Sequence, residues 1–120
     1  MRIAESAEDY LEAILMISQE KGRVRGVDIA NLRNVSKASV SVAMKNFCDK
    51  GLVTMDEERC VALTEKGMAI ATRIYDRHNT IAQFWMQFGV PEEIAKADAC
   101  KMEHDISEET YEVIKENVKH

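Results

Sequence analysis

The stretch from Thr64 to Phe88 carries helical periodicity over twenty-five residues with no proline inside it. Thr64 is a natural cap at its start and Gly89 a natural stop after its end. At about 1.5 Å rise per residue, such a helix reaches roughly 37 Å. In a chain of 120 residues that is long for a single small core, so the helix is expected to link two layers. Residues 1–71 are expected to form one domain and residues 72–120 a second.

Ahead of the long helix, a first helix is predicted from Ser6, its N-cap, to Lys21. Leu11, Ile14, Leu15 and Ser18 lie on one side, and Tyr10 and Ile17 widen the stripe. Gly22 stops it. A short helix from Val27 to Arg33 follows, with Ile29, Ala30 and Leu32 facing inward. After a turn at Asn34-Val35, a third helix runs from Ser36 to Lys50, with Val40, Met44 and Phe47 as its buried stripe. Leu52 to Met55 and Cys60 to Leu63 read as short strands around the polar tip Asp56-Glu57-Glu58-Arg59. Beyond the long helix, Pro91 with Glu92 and Glu93 opens a helix ending near His104, and Ser107 caps a last one. The fold class is therefore mainly α: an N-terminal winged helix-turn-helix with a small β-hairpin wing, joined by a long helix to a helical dimerisation domain. Ile81, Phe84, Trp85, Phe88 and Ile94 are candidates for a homodimer seam, and an intramolecular core is the other reading of the same residues.

The formal net charge of −5 suits a nucleic-acid binder poorly until its distribution is considered. Residues 21–50 hold seven Lys or Arg against two Asp, a local charge of +5, while residues 51–120 carry −6. In winged helix-turn-helix folds the second helix of the pair enters the major groove. With Val40, Met44 and Phe47 buried, its other face presents Ser36, Lys37, Ser39, Ser41 and Lys45. Small hydroxyl side chains allow close approach and hydrogen bonding. Arg23, Arg25, Lys37 and Lys45 would neutralise phosphates. Double-stranded DNA is thus the expected partner, against the plainer reading of a helical domain with a solvated Lys/Ser face. The odd cysteine count (Cys48, Cys60 and Cys100) argues against a disulfide framework. No apolar region follows Met1-Arg2-Ile3 and no run is long enough to span a membrane, so a soluble, cytoplasmic protein is expected.

The segment Cys100-Lys101-Met102-Glu103-His104 is the most informative for chemistry. Cys100, Glu103 and His104 stand at i, i+3 and i+4, on one helix face. A thiolate, a carboxylate and an imidazole so placed could bind a divalent transition metal. Asp9 and Glu12 form a second pair at i, i+3. Asp9 also lies three residues after Ser6, as in a capping box, Glu12 could be solvated, and His78 reads equally as an exposed helical histidine. Spacing alone leaves these alternatives open.

Taken together, SAEDYLEAI (Ser6 to Ile14), IANLRNVSKASVSVAMKNFCDKGLV (Ile29 to Val53), LTEKG (Leu63 to Gly67), Arg77-His78 and CKMEH (Cys100 to His104) give the chain a resemblance to a known family. It resembles the diphtheria-toxin-repressor-like, metal-dependent regulators, above all their short manganese-responsive branch. The resemblance places Asp9, Glu12, His78, Glu103 and His104 on family ligand positions and Cys100 on the sixth. There manganese sensors usually carry Glu and iron sensors Cys, whereas iron sensors usually carry Met where this chain has Asp9. It implies a hybrid site for Mn(II) or Fe(II), with Zn(II) and Co(II) also admitted by the donors. Ala82 and Lys96 stand where iron sensors have the Glu and His of an ancillary site, and the SH3-like third domain of those sensors is expected to be missing. The implied function is a metal-activated, homodimeric transcriptional repressor controlling metal-ion homeostasis genes, with the metal tying helix 1 to the dimerisation domain. One rival is a winged-helix regulator gated by a small ligand or by thiol oxidation at Cys48 or Cys60. A metalloenzyme is the other, and no acid/base or nucleophile constellation beyond the metal cluster supports it.

Overall fold

The computed structural model describes residues 5–118. Among them the chain forms α1 (Glu5–Lys21), α2 (Gly26–Arg33), α3 (Lys37–Asp49), β1 (Val53–Met55), β2 (Val61–Leu63), α4 (Glu65–Gln87), α5 (Glu92–Asp105) and α6 (Glu108–Glu116). The expected class, mainly α with a two-stranded hairpin, is the one found. Two compact units divide the chain at Thr72 and Arg73, inside α4.

In the first unit, α1 already includes Glu5, so Ser6 lies within the helix rather than capping it; the Ser6 side chain is outside the described residues. Leu11, Ile14, Ile29, Val40 and Met44 are completely or almost completely buried. Leu32 departs from expectation, because it is 48% exposed. At 100° per residue, the face set by Ile29 and Ala30 is centred on position 33, and position 32 turns away from it. Arg33 is therefore the residue that α2 carries inward, and it is half-buried. Asn34 then takes the left-handed conformation that ends α2. Ser36 caps α3, its hydroxyl accepting from the Ser39 amide at 3.1 Å.

The hairpin pairs Val53 with Leu63 and Met55 with Val61. Arg25 bridges to Cys60, and the Val61 amide donates to the Val24 carbonyl at 2.7 Å, which stitches the hairpin to the loop before α2. Thr64 caps α4 by accepting from the Gly67 amide at 3.1 Å. At Gly67 a Cβ atom would stand 2.0 Å from the Leu52 carbonyl oxygen, so only glycine lets α4 start this close to the hairpin.

The second unit packs Ile81, Ala82, Ala95, Ala99, Tyr111, Ile114 and Val118 into one core, with Phe84 and Trp85 against it. Ala95 and Ala99, one turn apart, bring the α5 backbone close to its neighbours. Pro91 precedes α5, and Glu92 and Glu93 occupy its first turn. Ser107 caps α6 by accepting from the Thr110 amide at 3.2 Å. Arg77 lies over the Tyr111 ring at 4.5 Å and donates to Glu108 at 2.5 Å, fixing α4 to α6. The seam candidates separate here: Ile81 belongs to the intramolecular core, while Phe88 and Ile94 are 68% and 54% exposed.

Candidate metal centre and nucleic-acid interface

On α5, Glu103 and His104 are buried and Cys100 is half-buried. A buried carboxylate is costly unless it is paired or coordinates a cation. The nearest approach of Glu103 Oε1 to His104 Nε2 is 3.6 Å, beyond hydrogen-bond length. One donor atom from each of Cys100, Glu103 and His104 lies within 4.8 Å of the others. Donors facing each other across one ion, at metal–ligand distances of about 2.0–2.3 Å, stand up to roughly 4.6 Å apart. The spacing and the donor chemistry therefore fit a divalent transition metal.

His78, on α4, also brings a ring nitrogen within 4.8 Å of a Glu103 oxygen. Its Nε2 lies 2.9 Å from the Lys96 carbonyl oxygen. A carbonyl can only accept, so Nε2 carries the proton and donates. In the neutral ring the lone pair is then on Nδ1, and a ligating histidine is commonly oriented by such a carbonyl at its other nitrogen. This contact of Lys96 was out of reach of residue-type reasoning, because its backbone makes it.

Asp9 and Glu12, both on α1 of the first unit, are buried at 8% and 5% exposure. The solvated reading of Glu12 does not hold. The Asp9 Oδ2 accepts from Arg33 Nη2 at 2.9 Å, and Ser6, its expected capping-box partner, lies within α1. Sequence reasoning does not single out Arg33; the signal for it is a cation at the centre of the Ile29–Ala30 face.

Of the expected DNA-facing residues, Lys37, Ser41 and Lys45 are exposed on α3, and so is Val42, which sequence reasoning passes over. Ser36 and Ser39 are exposed too, but their hydroxyls are joined at 2.9 Å within the cap. Arg23 is exposed and paired with Glu58, and it donates to Cys60 Sγ at 3.2 Å; the Glu58 carboxylate, then Cys60, raises its pKa further. Arg25 is exposed and its backbone amide donates to Asp28 Oδ2 at 3.0 Å. That bond, followed by the one from Lys21, holds the Asp28 carboxyl below its ordinary value.

Residues 2–61 match the family described as iron dependent repressor, N-terminal DNA binding domain. Residues 64–120 match the iron dependent repressor metal binding and dimerisation domain. The fold and these matches define a metal-dependent, DNA-binding transcriptional repressor. The chain belongs to the iron dependent repressor family. It is 36% identical over 115 residues to an uncharacterized HTH-type transcriptional regulator of Methanocaldococcus jannaschii, covering 94% of this chain and 92% of that one. It is 37% identical over 111 residues to the transcriptional regulator MntR of Escherichia coli, covering 92% of this chain and 72% of that protein. Among solved structures, T. acidophilum IdeR superposes with a TM-score of 0.82 at 27% identity, covering 97% of this chain and 54% of that one. The chain thus spans about half the length of that solved relative.

Proposed function

We propose that this chain represses metal-ion homeostasis genes when Mn(II) or Fe(II) occupies a site built from Asp9, Glu12, His78, Cys100, Glu103 and His104. The observation that carries this reading is the convergence of Cys100, Glu103 and His104 donors within 4.8 Å on a buried helix face. The hybrid donor set supports both metals: carboxylates and imidazoles suit Mn(II), and the Cys100 thiolate favours Fe(II), Co(II) or Zn(II). The cation would supply positive charge among buried carboxylates and a fixed coordination geometry. In the first unit, α3 is the recognition helix. Lys37 and Lys45 contact phosphates with Arg23 and Arg25, while Ser36, Ser39 and Ser41 approach the groove. The protein acts as a homodimer, with Phe88 and Ile94 in the seam, and in the cytoplasm. Among the described residues no helix is long and apolar enough to cross a membrane. The family matches do not favour gating by thiol oxidation at Cys48 or Cys60.

The test begins with metal-stripped protein, titrated anaerobically with Mn(II), Fe(II), Co(II) and Zn(II). Binding to a promoter fragment from its own locus is followed in parallel. A defined stoichiometry, abolished in His104→Ala and Glu103→Gln, together with at least tenfold tighter DNA binding is expected. Metals that bind without altering DNA affinity, or fail to bind, would defeat the reading.

A further inference from the structure

We infer that Arg33 is a built-in competitor of the metal at Asp9, setting the cation concentration at which the site fills. The inference rests on the proposed role of Asp9 as a ligand. Arg33 stands at the centre of the α2 face that buries Ile29 and Ala30, a position where an apolar side chain would ordinarily be placed. Its guanidinium instead meets the Asp9 carboxylate at 2.9 Å, with the Asp9 side chain 9% and the Arg33 side chain 35% exposed. A carboxylate this far from water needs a compensating charge, and Arg33 supplies one before any metal arrives. A cation that takes Asp9 must displace the guanidinium or accept a positive neighbour, and either event weakens its binding. Removing the guanidinium destabilises the metal-free state most, so the metal should bind more tightly.

The position gives this competition a consequence. Arg33 is the last residue of α2, Asn34 makes the left-handed turn, and Ser36 caps α3. The group that yields to the metal at Asp9 is therefore three residues from Ser36, the cap of the proposed recognition helix.

The test uses the full chain, with Mn(II) alone as the probe, and reads affinity by calorimetric titration and Tm with and without metal. Arg33→Gln should bind Mn(II) about tenfold more tightly. Its metal-free Tm should fall, and its metal-induced rise in Tm should exceed that of the unaltered protein. Arg33→Lys, which keeps the charge, should restore affinity towards the original value. In an Asp9→Asn background, Arg33→Gln should give no further gain, since the two residues act on one interaction. If Arg33→Gln does not fold, Arg33→Leu keeps an apolar stem on the same face and carries the same expectation. Should Asp9→Asn weaken Mn(II) binding while the Arg33 variants leave it unchanged or weaken it, the competitor role is wrong and the ligand set stands. An Asp9→Asn protein with undiminished Mn(II) affinity would remove Asp9 from the ligand set and overturn both.

Discussion

A thiolate at position 100 changes what the α5 face can hold. Manganese prefers hard oxygen donors, and zinc gains from sulfur. Cys100→Glu is expected to shift the response towards Mn(II) and weaken Zn(II) binding, checked by competitive titration of the two metals; an unchanged profile would exclude Cys100 as a ligand. Sequence spacing sufficed to place Cys100, Glu103 and His104 on one face, because i, i+3 and i+4 converge on any α-helix. Spacing could not distinguish Asp9 as a cap residue from Asp9 as a buried carboxylate. That difference depends on where α1 begins and on Arg33, twenty-four residues away. Nor could it orient His78, whose proton is fixed by the Lys96 carbonyl, a group every residue type shares.

At the scale of elements, the caps and stops account for how much of the fold was legible. Thr64 and Ser107 each accept the expected amide hydrogen bond, Ser36, read as the first helical residue, accepts one as the cap of α3, and removing one such hydroxyl should cost about 1 kcal/mol. Leu32 was misread because a short helix offers too few turns for periodicity to choose between adjacent positions. Gly67 gives a sharper prediction, since two effects oppose. In an ordinary helix, Ala in place of Gly gains about 1 kcal/mol. Here the new Cβ would meet backbone, the Leu52 carbonyl oxygen at 2.0 Å, and backbone cannot rotate away. Gly67→Ala should therefore destabilise the first unit by about 1–3 kcal/mol, measured by denaturant unfolding; a stabilised variant would contradict the packing of α4 on the hairpin. Asp28 adds a pH test. Its folded carboxyl lies below the ordinary value of 3.8, chiefly through the Arg25 amide and then Lys21. Its stabilising contribution is complete above 3.8 and disappears as the pH falls through the lower folded value. Asp28→Ala should be less stable than the original at neutral pH, and the gap between them should close in acid.

For the whole molecule, the question is how a divalent cation could raise affinity for a polyanion in a chain of net charge −5. Two mechanisms give different salt dependence. If the cation acts only by reducing repulsion, metal loading changes the apparent number of phosphate charges compensated, and the slope of log affinity against log salt changes with it. If the cation selects a DNA-competent arrangement, affinity rises while the slope stays set by the same lysines. The positive stretch of residues 21–50 belongs to the DNA-binding unit, whereas most of the proposed ligands lie in the other unit, so the second outcome is expected. Lys37→Ala and Lys45→Ala should each flatten the slope by about 0.9 for every phosphate left unneutralised, with metal and without it. Metal should shift the original protein and both variants by the same factor of at least tenfold, about 1.4 kcal/mol of coupling. Linkage then requires the promoter fragment to tighten Mn(II) binding by that same factor. A slope that steepens or flattens on metal addition, with affinities converging at high salt, would show charge reduction to be the whole effect.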